Sequence, residues 1–173
     1  VDFMRRLLGE DHQDVPKKHV VLPTRGNVVG YPAMKGAMVL AGLGCPHGCE
    51  FCATSHFHKR RHIPLLKTGA DLHREIRRVR KVLGSPKLRI GIIEEDFLLQ
   101  KERAREYLNC VKQDMDNPMR ISCFASAYSV SQWDPEDLVR MGIDTLWIGV
   151  ESKQAAYAKL KGIDLKSVFE TLH

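Results

Sequence analysis

The chain has 173 residues, which suits one domain, and 43% of them are hydrophobic, so it can bury a core. No apolar run approaches the length of a membrane span and no targeting pattern is visible, which predicts a cytoplasmic protein without a membrane partner. The net charge of +6, from 27 basic and 21 acidic residues, is mild and unevenly placed.

Residues 1–35 are predicted to be a lead-in or linker segment, because they are polar and repeatedly broken by proline and glycine. A short strand is expected at 19–22, and His12 and His19 are expected to be exposed rather than to bind a ligand. Because the chain opens with Val1 rather than Met, we expect it to be a piece of a longer protein.

An apolar run bounded by glycines follows at residues 36–44 and predicts a strand buried on both faces, as in a parallel sheet. It leads directly into Cys45, which with Cys49 and Cys52 forms a CxxxCxxC pattern. The glycines and the proline in this stretch indicate a loop. Thiolates this close in sequence can converge on one inorganic centre, since soft sulfur binds iron–sulfur clusters and zinc.

The number of cysteines separates the kinds of centre that this loop could hold. Three thiolates on a 4Fe–4S cluster leave one iron open to a small molecule. A closed zinc site needs a fourth ligand, such as His47, His56 or His58. A disulfide is disfavoured, because the chain has five cysteines and three of them crowd one loop. A non-enzymatic zinc or iron–sulfur binding module is therefore the alternative to an enzyme.

The cysteine pattern, with Phe51 immediately before its last cysteine, resembles the signature of the radical S-adenosylmethionine (SAM) superfamily. The resemblance implies that Cys45, Cys49 and Cys52 hold a 4Fe–4S cluster and are the catalytic and metal-binding residues. It further implies that the open iron binds the amino and carboxylate groups of SAM and that Phe51 packs near the adenine. The reduced cluster would cleave SAM to a 5′-deoxyadenosyl radical that acts on an unidentified substrate. An electron donor such as flavodoxin or ferredoxin would be a partner.

The segment after the last cysteine, residues 53–67, is rich in lysine, arginine and histidine. It is predicted to be a solvated basic loop, or else a patch that meets an anionic substrate or a partner protein. Phe57 is its only aromatic residue, so RNA binding is not indicated.

An amphipathic helix is predicted over residues 68–83, and a second buried strand over 88–93. That strand ends in Glu94 and Glu95, followed by Asp96, and acids there are costly unless they act or reach water. Ligands bind at this end of parallel strands. The Glu-Glu-Asp-Phe sequence resembles the acidic motif of the cobalamin-dependent branch, with glutamates replacing aspartates. This implies that Glu94 or Glu95 holds the SAM amino group; the alternative is a cap or loop role.

The remaining elements continue the same alternation. Helices are expected at 100–115, 153–161 and 164–173, strands at 120–127 and 145–150, and a short helix capped by Asp134. Ser126 lies near the end of the third strand, where it would face SAM or substrate. Glu151 follows the fourth strand, whose end resembles the Ile-Gly-Val-Glu-Ser sequence of the family. The resemblance implies that Glu151 contacts the ribose or methionyl part of SAM; capping of the next helix is the alternative.

Four strand–loop–helix units predict an α/β fold with a parallel sheet and right-handed crossovers. The resemblance implies a partial TIM-like (β/α) barrel, with about four of six units present, so that residues 36–173 form an incomplete radical SAM core. Cobalamin-dependent methyl transfer is one reaction that such a core could serve, with cobalamin bound mainly outside this chain. Methylthiotransferase-type RNA modification is an alternative.

Overall fold

The structure is a computed structural model that describes residues 36–84, 88–114, 119–150 and 162–172 and the backbone of 22–24. Its strands are β1 (Leu22–Thr24), β2 (Gly36–Leu40), β3 (Gly42–Leu43), β4 (Ile63–Pro64), β5 (Arg89–Ile93), β6 (Ile121–Ala125) and β7 (Ile143–Ile148). Its helices are α1 (Ala53–Phe57), α2 (Gly69–Leu83), α3 (Lys101–Gln113), α4 (Ala127–Val130), α5 (Pro135–Arg140) and α6 (Leu165–Leu172), with a 3₁₀ turn at Phe97–Leu99.

The main sheet has the strand order β1-β2-β5-β6-β7. Strands β2, β5, β6 and β7 are parallel, and β1 joins β2 in the antiparallel sense. Strands β3 and β4 form a separate antiparallel pair beside the sheet. The prediction of an α/β fold with a parallel sheet is therefore confirmed. Part of the predicted lead-in, β1, belongs to this sheet.

Helix α2 shows why the local predictions succeed. The hydroxyl of Thr68 accepts a hydrogen bond from the amide of Asp71 at 3.0 Å, while the Asp71 carboxylate accepts one from the Thr68 amide at 3.2 Å. This capping box satisfies amide groups that the first turn would otherwise leave unbonded. Gly84 ends the helix in the left-handed conformation. Helix α5 begins as predicted too, with Asp134 as its cap and Pro135 in the first turn.

The hydrophobic core lies on one face of the sheet. Side chains of β2, β5, β6 and β7 that point to this face pack against α2, α3 and α5. The apolar face of α2, formed by Leu72, Ile76 and Val79, is fully buried there. Burial of such side chains contributes about 1.5–3 kcal/mol each to the stability of the fold. All the crossover helices that the structure describes thus cover the same face of the sheet.

The opposite face of the sheet is bare, which corrects the expectation that the first strand is buried on both faces. Met38 is 40% exposed, and Phe124 and Trp147, which lie opposite each other on β6 and β7, are 46% and 59% exposed. Successive strand residues point to opposite faces, and no described helix packs on this one. The apolar run in the sequence does not reveal the bare face, because the β2 positions on that face hold glycine and methionine and therefore contain no polar residue.

Two further differences lie around the cysteine loop. The predicted strand at 36–44 is broken at Ala41, whose carbonyl accepts hydrogen bonds from the amides of Leu65 and Leu66, both at 3.0 Å. The predicted basic loop at 53–67 contains α1 and β4, so it is folded against the strand that precedes the cysteines. The expectations for residues 1–21, 25–35 and 151–161 lie outside the described residues.

Candidate functional site

A cavity of about 600 Å³ opens at the carboxyl ends of the four parallel strands. This is the edge at which ligands bind in parallel α/β folds. One wall is the cysteine loop, and the others are the ends of β5, β6 and β7. Of the predicted site residues, the cavity brings together Cys45, Cys49, Phe51, Cys52, Glu94, Glu95 and Ser126. Glu151 lies outside the described residues.

The cysteine loop is fixed from behind by α1. The hydroxyl of Ser55 donates to the carbonyl of Cys45 at 2.9 Å and accepts from the amide of Gly48 at 3.0 Å. The amide of Cys52 donates to the carbonyl of Cys49 at 3.0 Å. Cys45 and Cys49 are buried and Cys52 is half-buried, with all three thiols free of disulfides. The loop therefore presents three thiols to one cavity.

Gly44 and Gly48 give the loop its tight path. Their φ angles of +81° and +70° lie in the left-handed region, where a side chain would be strained. At Gly44 space is lacking as well, because a β-carbon there would lie 2.2 Å from the carbonyl oxygen of Arg61. A β-carbon at Gly48 would lie 2.8 Å from Nε of Arg60, the end of a flexible side chain that can move aside. Gly44 is thus required by its conformation and by the close approach of the segment that follows α1, and Gly48 by its conformation.

The thiol of Cys45 is held in its neutral form. Its pKa is raised to about 11, mainly by burial and also by the neighbouring Asp96, Cys49 and Cys52, against a lowering by the His47 backbone amide. A metal bound by this sulfur must therefore displace a proton. Within the described ranges, no three His, Cys, Asp or Glu side chains lie close enough together to hold a single metal ion. In a 4Fe–4S cluster each cysteine binds a different iron, so the thiols surround a volume rather than one point.

The histidines considered as zinc ligands have other partners. Nε2 of His47 lies 3.0 Å from the carboxylate of Asp96, and Nε2 of His56 lies 3.2 Å from the carbonyl of Glu50. The ring of His58 lies edge-on to Phe57, with centroids 5.0 Å apart.

Asp96 joins the cysteine loop to the strand ends, a role that sequence reasoning missed. Its buried carboxylate accepts hydrogen bonds from His47, from the Leu99 and Ser126 amides at 3.2 Å, and from the Ser129 hydroxyl at 2.7 Å. The only sign of this role in the sequence is that Asp96 is the third of three consecutive acidic residues after β5.

Glu94 is turned into the protein. Arg103 donates to one of its carboxylate oxygens, and Nε2 of His62 lies 3.2 Å from the other, with the Glu94 side chain fully buried. The Arg103 guanidinium also donates to the carbonyls of Ala41 and Leu66. Both Glu94 oxygens are therefore used by the chain itself.

Glu95, unlike Glu94, has a carboxylate oxygen that no described residue contacts by a hydrogen bond. It lines the cavity, and its Oε2 atom is buried without a hydrogen-bond partner among the described residues. A buried carboxylate oxygen without a donor is unfavourable by a few kcal/mol unless a ligand supplies one. Glu95 is thus the acid at this edge with free capacity to bind a cation or an N–H group.

The remaining lining is aromatic and apolar. Phe51 is half-exposed on the cysteine-loop side, and Phe124 and Trp147, with ring centroids 6.3 Å apart, form the far wall. Sequence reasoning missed these two because it did not expect a bare sheet face. Ser126 is buried, and its hydroxyl accepts from the Ser129 amide at 3.0 Å, so it caps α4.

Comparison of the chain with known protein families, with curated proteins and with solved structures gives no match. Among the helices of the described residues, none has both the length and the apolar character needed to cross a membrane.

Proposed function

We propose that this chain is a radical SAM core, in which Cys45, Cys49 and Cys52 hold a 4Fe–4S cluster and SAM binds in the adjoining cavity. The observation that carries the proposal is that all three cysteines line one cavity at the carboxyl ends of four parallel strands. The parallel strands, with helices on a single face, fit an arc of a (β/α) barrel whose bare face is turned inward.

The donor set and the cavity fit the two groups. Three thiols with no fourth ligand among the described residues leave one position of the cluster open, and the cavity beside them, about 600 Å³, is within the range of small-molecule sites. When bound, the cluster would supply one electron to the sulfonium of SAM. The chain's own residues position the reactants: the Ser55 and Asp96 hydrogen bonds hold the loop against the strand ends.

The two glutamates after β5 would have different roles. Glu95 would accept the amino group of SAM, because its buried oxygen lacks a donor. Glu94 would have a structural role beside the site, since its charge already balances that of Arg103. Phe51 would contact the adenine from the loop side, and Ser126 would contribute through its position at the end of β6 rather than through its hydroxyl, which caps α4.

Anaerobic reconstitution with iron and sulfide tests the proposal. We expect about four iron and four sulfide per chain with broad visible absorption. The loaded protein should bind SAM, and a core with its full set of strands should convert SAM to 5′-deoxyadenosine when it is reduced with dithionite. Zinc in stoichiometric amount with no iron retained would favour a zinc-binding module instead. A fully loaded protein that does not bind SAM would also overturn the proposal.

Replacing Glu95 with glutamine should weaken SAM binding to the loaded protein by about tenfold or more, because a hydrogen bond to a charged group is typically worth 1.5–3 kcal/mol. Isothermal titration measures the change. Glu50→Gln is the matched control, since Glu50 is an exposed glutamate of the cysteine loop and does not line the cavity. If Glu95→Gln binds SAM as tightly as the parent, the unpartnered oxygen is not the SAM contact.

A further inference from the structure

Residues 56–61, named here the basic segment, form an exposed cationic surface behind the cysteine loop. His56, Phe57, Lys59, Arg60 and Arg61 are all exposed, with Phe57 75% accessible. An exposed aromatic ring surrounded by cationic side chains is a common centre for a protein interface, because aromatic and arginine side chains dominate binding energies there.

The charges of the basic segment are not neutralised by the protein. Arginines on the exposed face of α2 each have a carboxylate partner: Arg74 pairs with Asp71, Arg77 with Asp114 and Arg78 with Glu75. Within the described residues, Lys59, Arg60 and Arg61 form no ion pair. Three consecutive unpaired cations therefore produce a local positive potential, which attracts acidic partners.

The basic segment contacts the outer side of the loop whose inner side faces the cavity. The Arg60 guanidinium lies over Gly48, and His58 lies over Gly44. None of residues 56–61 lines the cavity, whereas all three cysteines do. A ligand inside the cavity would thus not meet these cations, while a molecule bound to them would lie one loop away from the thiols.

Two charged residues of the basic segment have a backbone conformation that is unfavourable for any residue with a side chain. Lys59 and Arg60 have φ angles of +53° and +55°, in the left-handed region that usually takes glycine. The Arg60 amide donates to the Ser55 carbonyl at 2.7 Å, which closes the turn after α1. Non-glycine residues in such a conformation often mark functional sites.

We propose that the basic segment is the docking surface for an acidic protein that carries single electrons. This inference rests on the proposed function, since it assigns the route by which the cluster is reduced. The donor loses one electron and the cluster gains it; no bond forms and no proton has to move in this step. The mixed surface of one aromatic ring and three cations fits a small acidic protein better than a nucleic acid, because only Phe57 is available to stack on bases.

Stopped-flow reduction of the loaded protein by an acidic flavodoxin in its hydroquinone form tests this surface. The bleaching of the cluster absorption gives a second-order rate constant. We expect the Lys59→Gln/Arg60→Gln/Arg61→Gln variant to be reduced about tenfold more slowly at low salt, and to lose most of the salt dependence of the parent. Lys59→Gln/Arg61→Gln, which keeps Arg60 on Gly48, should show a smaller loss of the same kind. Reduction by dithionite should be unchanged.

The Arg74→Gln/Arg78→Gln/Lys81→Gln variant is the matched control, because it removes the same charge from the exposed face of α2. Equal slowing in this control, or no slowing in the basic-segment variants, would overturn the proposal. A basic-segment variant that keeps its reduction rate but loses affinity for a labelled single-stranded RNA would assign the surface to nucleic acid instead.

If the parent holds no cluster, the proposed function has failed. Titration of oxidised flavodoxin into the metal-free parent and triple variant then decides on docking: weaker binding to the variant supports it and equal binding overturns it.

Discussion

Replacing Glu94 with alanine should lower the free energy of unfolding of the metal-free protein by about 3–5 kcal/mol, because it leaves a buried guanidinium without its counter-charge. The side chain of Arg103 is only 6% exposed, and its remaining acceptors are the neutral carbonyls of Ala41 and Leu66. Since domains of this size are stable by about 5–15 kcal/mol, such a loss removes a large part of the total. Urea unfolding followed by circular dichroism measures it.

Two further variants make this result specific to the ion pair. Glu95→Ala should leave the stability of the metal-free protein unchanged or raise it, because it removes a carboxylate whose buried oxygen has no partner among the described residues. In Glu94→Leu/Arg103→Met both charges are replaced by apolar groups, so most of the lost stability should return, although the Ala41 and Leu66 carbonyls lose a donor. If Glu94→Ala is as stable as the parent, Glu94 is not committed to Arg103, and Glu94 becomes a candidate for binding SAM.

Replacing Cys49 with alanine should abolish the cluster, with iron after reconstitution falling to less than about a tenth of the parent, because two thiolates do not enclose it. The same loss is expected for Cys45 and Cys52, which share the cavity. Iron and sulfide analysis together with the visible spectrum give the result. The metal-free Cys49→Ala protein should still unfold cooperatively, since the residue is small and its loop is held by Ser55.

Cys110→Ala is the matched control for ligand loss. Cys110 is half-buried on α3 and does not line the cavity, so its removal should leave the iron content unchanged. Full iron retention by Cys49→Ala, or equal loss in Cys110→Ala, would show that the CxxxCxxC cysteines are not the ligands.

Elements with strong local signals were predicted well. The four-, three- and four-residue spacing of the apolar face and Gly84 predict α2 to within one residue at its start. Asp134 and Pro135 similarly predict the start of α5. These signals succeed because a cap and an amphipathic face depend on residues within one or two turns of each other.

Two features that depend on distant contacts were not predicted. Strand β4 is only two residues long, and it exists because β3, some twenty residues earlier in the chain, lies beside it. The bare face of the sheet is another case. The sequence of β2 is apolar throughout, and only the placement of every described crossover helix on one side leaves Met38 exposed.

The candidate site shows the same division. The sequence by itself determined the three cysteines, the glycines that turn their loop and the acids that follow β5, because these are contiguous in the chain. Only the tertiary structure distinguished those acids from one another. Glu94 forms an ion pair with Arg103, nine residues later, and a hydrogen bond with His62, thirty-two residues earlier, while Asp96 is held by His47 on the cysteine loop. Among the described residues Glu95 has no such partner for Oε2, although it is the residue next to Glu94 in the chain.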